Sequence, residues 1–431
     1  MKAVIMAGGK GTRIASVNAD VPKPMISIAG KPILEHQIEV LRRQGIRQIV
    51  IVVGYMGDKI CSYFGDGSEW NVAITYEREQ KPLGTAGALY RLKDKIREDF
   101  VLINGDIIFD IDFERMIRAH REHGGIATIF THPNSHPYDS AVIEAGEHHE
   151  VIRWFHKEDE RLWYRNRVNA GIHMLSPKIF ELPVLQYEHK VDLDRDILKP
   201  LVKEKGLYVY DSTEYVKDMG TPERYREVED DIRSGKVAAK NYSQPQRAIF
   251  MDRDGTINRH VGFLSDIDQF ELLEGAAEAI RRVNEMGYLA VVVTNQPVIA
   301  RGEATTDELK EIHNKMETLL GQKGAYVDAI FYCPHHPDRG YEGEIVELKT
   351  DCDCRKPKPG LILQAAETYH IDLKNSWMIG DSGSDVLAGK AAGCKTVGLG
   401  ETGDSVPDFR CVTLTEAIET IFGIRGKESH G

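Results

Sequence analysis

Short apolar runs alternate with amphipathic stretches along the first half of the chain, and each kind of stretch predicts a different element. The apolar runs predict strands at residues 3–6, 48–53, 73–76, 100–103 and 126–131. The amphipathic stretches predict helices at residues 32–44, 89–96 and 113–123. Strands that alternate with helices are typical of a mostly parallel sheet covered by helices, so this half of the chain indicates an α/β fold.

A second series of the same kind follows. It predicts strands at residues 248–251, 289–294 and 377–379 and helices at residues 276–286 and 306–320. The residues between the two series, 234–246, are rich in Gly, Lys, Asn, Ser, Gln and Pro, which is typical of a linker. We therefore expect two α/β domains, at residues 1–235 and 247–425, joined by a linker at residues 236–246.

The charge and cysteine content narrow the range of partners. The chain of 431 residues has a formal net charge of −12, which does not favour binding to nucleic acid or to an anionic membrane. No apolar run approaches the ~18–20 residues of a membrane span. Six cysteines in a chain of this length suit a metal site in a reducing compartment better than a disulfide framework, so we expect a cytoplasmic protein. Whether the chain forms a homo-oligomer stays open.

Two short clusters in the last third of the chain carry metal-ligand residues at close spacing. Cys333 and His335 form a Cys-x-His pair, and Cys352 and Cys354 form a Cys-x-Cys pair. Together they supply the four ligands of a tetrahedral Cys₃His zinc site. The alternative is a set of unrelated buried thiols and a surface imidazole. A Zn²⁺ ion here would hold the long loop between the two pairs, which has little apolar content.

A glycine-rich segment follows the first predicted strand. Residues 7–13 read Ala-Gly-Gly-Lys-Gly-Thr-Arg, and glycines at the end of a strand let backbone N–H groups approach phosphate oxygens closely. Such a loop on its own is equally typical of a tight turn. The motifs that accompany it are PKPM at 22–25, GKP at 30–32, PLGTAG at 82–87, LINGD at 102–106, VNAG at 168–171 and KDMGTP at 217–222.

In this order and spacing, residues 1–230 resemble the sugar-1-phosphate nucleotidyltransferases, most of all the branch that loads mannose-type and heptose sugars onto a nucleotide. The resemblance implies a Rossmann-like fold and an in-line attack of a sugar phosphate oxygen on the α-phosphorus of an NTP, which releases pyrophosphate. It implies that Arg13 holds the pyrophosphate and that Lys23 reaches the α-phosphate. Asp106 and Asp218 resemble the family's Mg²⁺ ligands, with helix-cap and turn aspartates as the alternative. The other implied substrate contacts are Gly8, Gly9, Gly11, Thr12, Glu79, Gly84, Thr85, Asn104, Lys157 and Asn169.

Glu79 carries a hypothesis about the nucleotide base. It lies five residues before Gly84, where related uridylyl and thymidylyl enzymes usually carry Gln. Guanine offers two donors, N1–H and N2–H₂, that one carboxylate can accept together. Uracil and thymine offer one donor between acceptors, which suits an amide better. Glu79 therefore favours GTP, and the alternative is a solvated loop charge.

The second series opens with a strand that runs into Asp252-Arg253-Asp254-Gly255-Thr256. When two carboxylates follow a strand at positions i and i+2, both point into the same site. One can attack phosphorus while the other transfers the proton of the leaving group. VTNQ at 293–296, RKPK at 355–358 and GDSGSD at 380–385 follow in this order. With this set of motifs, residues 247–400 resemble the haloacid dehalogenase-like phosphatases, which implies a second Rossmann-like domain.

This second resemblance implies a role for each residue. Asp252 is the nucleophile that forms an aspartyl-phosphate, and Asp254 is the general acid and then the base that activates water. Mg²⁺ lies between Asp252, the Asp254 backbone carbonyl and Asp381, with Asp385 as support. The residues that hold the phosphoryl group are Thr294, Asn295 and Lys356. Lys358 is an alternative to Lys356. Arg355 is a contact for a second phosphate or for the sugar.

The two metal-ligand pairs, followed by Arg-Lys-Pro, resemble those of two subfamilies, the heptose bisphosphate phosphatases and the histidinol-phosphate phosphatases. The segment DRDGTIN at 252–258 matches the heptose subfamily. Together the resemblances imply a bifunctional enzyme of GDP-heptose synthesis that uses Mg²⁺ and Zn²⁺ and takes sugar phosphates and an NTP as its partners. One domain removes the 7-phosphate of D-glycero-D-manno-heptose 1,7-bisphosphate, and the other transfers GMP from GTP to heptose 1-phosphate. The alternatives are the same reactions on another sugar phosphate or NTP, or a sugar-nucleotide-sensing scaffold with one idle domain.

Overall fold

The computed structural model describes residues 1–9, 21–187 and 189–423. This part of the chain divides into two compact units. The first unit comprises Met1–His132, Ile143–His156 and Val168–Asn241, and the second comprises Pro133–Val142, Lys157–Arg167 and the chain from Tyr242 onwards.

The first unit alternates strands with helices, as the hydrophobic pattern predicts. Its strands are β1 Lys2–Ala7, β2 Ser27–Ile28, β3 Lys31–Pro32, β4 Gln48–Val53, β5 Ala73–Arg78, β6 Phe100–Asn104, β7 Ile107–Asp110, β8 Ala127–His132, β9 Val142–Ala145, β10 Val151–Phe155, β11 Val168–Leu175, β12 Leu207–Asp211 and β13 Tyr215–Asp218. Its helices are α1 Ile33–Arg43, α2 Gly57–Phe64, α3 Phe113–His123, α4 Lys199–Lys203, α5 Pro222–Arg233 and α6 Lys236–Ala239.

The main sheet of the first unit has a parallel centre. Its order is β10-β9-β11-β6-β1-β4-β5, with β8 beside β11 and β12. β1 pairs in parallel with both β4 and β6, and β11 runs antiparallel to β6. Val4 and Ile5 of β1 are completely buried, as expected for a strand that is covered on both faces. Because the carboxyl ends of parallel neighbours meet at one sheet edge, the residues after β1, β4 and β6 lie together there.

The second unit contains one parallel sheet. Its strands are β14 Ala248–Met251, β15 Leu289–Asn295, β16 Ala329–Cys333, β17 Trp377–Gly380, β18 Lys395–Leu399 and β19 Phe409–Cys411. Its helices are α7 Ala276–Glu285, α8 Pro297–Ala300, α9 Thr306–Gln322, α10 Gly360–Tyr369, α11 Gly383–Ala392 and α12 Leu414–Phe422. The sheet order is β16-β15-β14-β17-β18-β19, and all five pairings are parallel. This topology gathers the carboxyl ends of β14, β15 and β17 at one edge.

Two segments from the first half of the chain pack within the second unit, against α9. Arg167 is buried, with Nη1 3.4 Å from Oε2 of Glu317, and its Nη2 donates to the carbonyl of Asp328 at 2.7 Å. Thr318 accepts a hydrogen bond from the N–H of Tyr164 at 2.9 Å and donates to the carbonyl of the same residue at 3.1 Å. The sequence analysis placed these segments in the first domain, whereas their contacts place them in the second unit.

Several predicted elements agree with the structure, and one does not. The strand at 48–53 and the helix at 113–123 have the predicted bounds, and Gly124, whose φ is +66°, caps the C-terminus of α3. The helix predicted at 89–96 is wrong, because a 3₁₀ turn at Gly87–Leu92 takes its place. Gly87 approaches the backbone of His189 so closely that an added Cβ would lie 2.4 Å from its carbonyl oxygen, which constrains this turn. Among the helices of the described residues, none has both the length and the apolar character to cross a membrane.

Candidate active sites

The glycine segment after β1 approaches Glu79. A Cβ added to Gly8 would lie 2.3 Å from Oε2 of Glu79, so a side chain at this position would displace the carboxylate. The N–H of Glu79 donates to the carbonyl of Val53 at 2.8 Å, which holds its loop beside the end of β4. Burial raises the pKa of Glu79, although the N–H of Leu83 and the charge of Arg91 oppose this shift. A partly buried carboxylate therefore faces the predicted phosphate loop.

The structure describes the glycine-rich loop after β1 only as far as Gly9. Gly9 is the last described residue after β1, and an added Cβ there would meet no atom within 4 Å. Gly11, Thr12 and Arg13, which the sequence analysis singles out, lie outside the described residues.

Asp106 and Asp218 lie side by side and are both paired with cations. Register between β13 and β7 pairs Asp218 with Ile107, the residue after Asp106. Lys23 Nζ lies 2.5 Å from Oδ2 of Asp106. Arg224 Nη1 donates to both carboxylate oxygens of Asp218 at 3.0 Å. The predicted pair of Mg²⁺ ligands is therefore brought together with Lys23, and a bound cation would compete with the two basic side chains for these oxygens.

The loop that carries Gly84 and Thr85 packs against the segment around Val191. Gly84 has a φ of +84°, and an added Cβ would lie 2.3 Å from the carbonyl oxygen of Val191, so only glycine fits. The hydroxyl of Thr85 accepts a hydrogen bond from the N–H of Leu193 at 2.7 Å and donates to Oδ2 of Asp192 at 3.3 Å. Both predicted substrate contacts thus shape this loop through contacts within the protein.

Asn104 and Asn169 meet around Gly171. Nδ2 of Asn104 would lie 2.5 Å from a Cβ added to Gly171, and Oδ1 of Asn169 accepts from the N–H of Gly171 at 3.1 Å. Nδ2 of Asn169 donates to Oδ1 of Asp194 at 3.2 Å. Burial, followed by the charge of Asp192, raises the pKa of Asp194 to about 6. The sequence analysis missed Asp194, for which the acidic run at residues 192–196 was the available signal.

Lys157 is not among the residues that the first unit brings together. It is exposed and belongs to a segment of the second unit, whereas the preceding His156 is buried and belongs to the first unit.

In the second unit, Asp252 faces a buried lysine. Asp252 directly follows the fully buried strand β14, and its N–H donates to the carbonyl of Ile379 at 3.0 Å. Lys356 Nζ lies 2.8 Å from Oδ1 of Asp252 and 2.6 Å from Oδ1 of Asp385. It also donates to the carbonyl of Val293 at 2.8 Å. Burial raises the pKa of Asp252, and the ammonium group of Lys356 opposes this shift.

Three carboxylates converge at the same point. One oxygen from each of Asp252, Asp381 and Asp385 lies within 4.8 Å of the others. Gly255 has a φ of +85°, and an added Cβ would lie 2.0 Å from Oδ2 of Asp381, so glycine makes room for this carboxylate. Oδ2 of Asp385 accepts from the N–H of Ser382 at 3.0 Å at the start of α11. Oxygen ligands in this arrangement fit Mg²⁺.

The side chain of Asp254 has a separate set of partners. Its Oδ1 accepts from Asn258 at 3.0 Å and its Oδ2 from Gln296 at 2.9 Å, and Nη2 of Arg253 donates to both oxygens at 3.0 and 2.9 Å. Gln296 Nε2 also donates to the hydroxyl of Thr294 at 2.8 Å. Burial alone would raise the pKa of Asp254, but the Arg253 charge and the two amides lower it below its usual value. Asp254 is therefore held as a carboxylate, and its predicted contact with Mg²⁺ concerns its backbone carbonyl alone.

The two candidate lysines have different surroundings. Oδ1 of Asn295 accepts from the N–H of Lys356 at 3.0 Å, and its Nδ2 donates to the Lys356 carbonyl at 3.1 Å. This amide therefore holds the Lys356 backbone rather than pointing freely into the site. Lys358 is exposed and pairs with Asp351 at 2.8 Å. Lys356, and not Lys358, faces Asp252.

The four predicted zinc ligands converge. Sγ of Cys354 lies 3.2 Å from the sulfur atoms of Cys333 and Cys352, and Nδ1 of His335 lies 3.3 Å from Sγ of Cys354. All four ligand atoms lie within 4.8 Å of one another, which fits a shared tetrahedral ion. Arg355, the next residue, donates to the carbonyl of His335 at 3.3 Å. The cluster therefore lies at the base of the loop that leads to the active-site lysine.

His313 is a buried residue beside the Asp252 and Asp254 site, and the sequence analysis missed it. It lies on α9, with Nε2 3.2 Å from Nη1 of the fully buried Arg253. Burial and the Arg253 charge lower the pKa of His313 to about 3, so the imidazole is neutral. A single histidine on the buried face of a long helix carries no local signal for such a contact.

Both units match known families. Residues 2–235 match the nucleotidyl transferase model, and residues 353–408 match a HAD-hydrolase-like model. Over 163 residues, the chain is 44% identical to the D-glycero-beta-D-manno-heptose-1,7-bisphosphate 7-phosphatase of Pasteurella multocida, covering 38% of this chain and 86% of that protein. The chain belongs to the nucleotidyl transferase family and to the family of these heptose bisphosphate phosphatases.

Further relatives agree with this assignment. The phosphatase of the same name from Escherichia coli K12 is 43% identical over 159 residues, which cover 37% of this chain and 81% of that protein. A solved structure described as a glucose-1-phosphate thymidylyltransferase from Bacillus anthracis covers 54% of this chain and 95% of its own, with 23% identity and a TM-score of 0.50. This solved structure supports the α/β fold of the first unit. The predicted α/β fold class is confirmed. The chain is an enzyme that combines a nucleotidyl transferase domain and a phosphatase domain.

Proposed function

We propose that the chain converts D-glycero-D-manno-heptose 1,7-bisphosphate into GDP-heptose in two steps. The phosphatase relatives are named for removal of the 7-phosphate of this bisphosphate. Loss of that group leaves a sugar 1-phosphate, which is the substrate class implied by the motifs of the first unit. This match between the product of one unit and the substrate of the other is the observation that carries the proposal.

The phosphatase unit supplies the groups for two successive displacements at phosphorus. In this step Asp254 takes up a proton from solvent when the substrate binds, because the free site holds it as a carboxylate. An oxygen of Asp252 attacks the phosphorus of the 7-phosphate, the bond between phosphorus and O7 breaks, and the protonated Asp254 gives that proton to O7. Asp254 then takes a proton from a water molecule, whose oxygen attacks the aspartyl-phosphate, releases inorganic phosphate and restores Asp252. Lys356 neutralises negative charge beside the reacting group. Mg²⁺ held by Asp252, Asp381 and the Asp254 carbonyl, with Asp385 in support, would stabilise the charge of the phosphoryl oxygens.

The transferase unit supplies charge compensation for an attack on GTP. A phosphate oxygen of heptose 1-phosphate attacks the α-phosphorus, and the bond to the leaving pyrophosphate breaks. Lys23 and Arg13 compensate the charge of the phosphates, and Asp106 and Asp218 would hold Mg²⁺. Asn104 and Asn169 line the sugar side of the site, where Asp194 orients the Asn169 amide. For Lys157, the proposed contact with the sugar phosphate rests on the resemblance alone.

The zinc cluster has a structural role in this proposal. A zinc ion with four protein ligands leaves no open position for chemistry, and Asp252 already supplies the nucleophile. The thiolates require a reducing compartment, which favours the cytoplasm.

Replacement of one zinc ligand should impair the phosphatase alone. We expect Cys354→Ser to lower the zinc content and to reduce phosphate release by at least about tenfold, because the loop before Lys356 loses its anchor. Metal analysis and phosphate release from the bisphosphate measure both effects. Cys61→Ser, which alters a half-buried thiol of the first unit, is the matched control. Full phosphatase activity in zinc-free protein would rule out this role.

Replacement of Glu79 should change the choice of nucleotide. We expect Glu79→Gln to lower kcat/KM for GTP by about 10–100-fold, since a charge-assisted pair of hydrogen bonds to guanine is weakened. Activity with UTP or dTTP should fall less or rise. Parallel assays with GTP, UTP, dTTP, CTP and ATP measure the preference, and a wild-type preference for a pyrimidine nucleotide would contradict the assignment of GTP.

A panel of sugar bisphosphates tests the proposed substrate. Phosphate release should be fastest with D-glycero-D-manno-heptose 1,7-bisphosphate, assayed as separate α and β anomers beside hexose 1,6-bisphosphates. Comparable or faster release from a hexose bisphosphate would assign the chain to another sugar. The anomer that is dephosphorylated should also yield the 1-phosphate that the transferase accepts.

A further inference from the structure

Arg253 occupies an unusual position next to the nucleophile. Its side chain is fully buried, although it carries a charge. A buried charge is costly unless it is paired and hydrogen-bonded. The partners that meet this need are Asp254, Gln296 and His313.

The guanidinium group of Arg253 links His313 to Asp254 through hydrogen bonds. Nη2 donates to both oxygens of Asp254, and Nη1 lies 3.2 Å from Nε2 of His313. A guanidinium group can only donate, so Nε2 of His313 accepts and its proton lies on Nδ1. Since α9 carries His313, the long helix fixes the far side of the guanidinium group.

Gln296 closes the arrangement from the end of β15. Its Oε1 accepts from Nη2 of Arg253 at 3.1 Å, and its Nε2 donates to Oδ2 of Asp254 at 2.9 Å. The amide can therefore adopt only one orientation, with its oxygen toward Arg253 and its nitrogen toward Asp254. Two rigid groups, from β15 and from the chain after β14, thus fix both the position and the plane of the Asp254 carboxylate.

We propose that Arg253, Gln296 and His313 are positioning residues that hold the Asp254 carboxylate in place for proton transfer. This inference rests on the proposed role of Asp254 as the acid and base of the phosphatase. None of the three residues needs to touch the reacting atoms, because each acts through Asp254. Proton transfer depends steeply on distance and alignment, so a displaced Asp254 should slow the chemistry while substrate binding is retained.

The experiment compares two leaving groups in the full-length protein. The sugar alkoxide must be protonated as it leaves, whereas p-nitrophenolate leaves without a proton. We expect His313→Leu and Gln296→Leu to lower kcat for the heptose bisphosphate by about 10–100-fold with little change in KM, because the general acid is misplaced. With p-nitrophenyl phosphate, the first step should slow by less than about threefold. Since Asp254 also activates the water, the aspartyl-phosphate should accumulate and give a burst of p-nitrophenolate.

Two further variants separate positioning from stability. His313→Gln keeps an acceptor for Arg253 and should restore most of the activity lost in His313→Leu. Met316→Ala removes a completely buried side chain of the same helix and leaves the hydrogen bonds of Arg253 in place, so it should lower the melting temperature and affect both substrates equally. If His313→Leu does not fold, Gln296→Leu and His313→Gln decide the question.

The outcomes are distinguishable. Equal losses on both substrates in folded variants, without a burst, would overturn the positioning role. Wild-type protein that hydrolyses neither substrate would instead refute the proposed phosphatase function.

Discussion

Asp252→Asn should abolish phosphate release from the heptose bisphosphate and leave nucleotidyl transfer to heptose 1-phosphate unchanged. The neutral amide cannot attack phosphorus as the carboxylate does, so we expect release to fall by at least about 10⁴-fold. The substitution also weakens the ion pair with Lys356 and removes one of the three converging carboxylates. Phosphate release and pyrophosphate release, assayed on the same preparation, measure the two activities separately.

The matched control for this change is Asp404→Asn. Asp404 is an exposed residue of the same unit, so its replacement should leave both activities at the wild-type level. Residual phosphate release close to the wild-type rate would exclude Asp252 as the nucleophile. Loss of both activities in folded protein would contradict independent sites.

Asp106→Ala should have the opposite effect. We expect pyrophosphate release to fall by about 10³-fold, because the charge that orients the metal and the phosphates is lost from the transition state. Lys23 also loses its partner at 2.5 Å and becomes free to move. Phosphate release by the second unit should be unchanged, since Asp106 belongs to the first unit and the phosphatase residues belong to the second.

Asp94→Ala provides the control in the first unit. Its side chain is 91% exposed, so the substitution removes the same charge without altering the site. Transferase activity that survives in Asp106→Ala would leave Asp218 as the sole candidate metal ligand, and the two-carboxylate site would be wrong.

The catalytic groups at strand ends were predictable from the sequence for a physical reason. Asp252 follows a short apolar strand, and parallel pairing brings the ends of neighbouring strands to one edge. Lys356 is farther along the chain, and the order of the phosphatase-like motifs, in which RKPK at 355–358 follows VTNQ at 293–296, assigned it to the same site. The structure adds what spacing cannot show, namely that Lys356 faces Asp252 while Lys358 pairs with Asp351.

Other features had no local signal. The segment that contains Arg167 reads as part of the first domain, and only its long-range contacts with Glu317 and Asp328 reveal that it packs in the second unit. The same holds for His313, whose role depends on Arg253, 60 positions away in the chain. The short turn at Gly87–Leu92 was predicted as a helix because apolar spacing over so few residues fits either form, and a close backbone approach decided between them.

The most direct test of the account follows both reactions in one sample. Full-length protein, D-glycero-D-manno-heptose 1,7-bisphosphate, GTP and Mg²⁺ would be mixed and followed by ³¹P NMR. The account predicts that inorganic phosphate appears first and that pyrophosphate and GDP-heptose then appear in equal amounts, neither exceeding the phosphate released. A nucleotide sugar that still carries the 7-phosphate, or pyrophosphate formed without phosphate release, would contradict it.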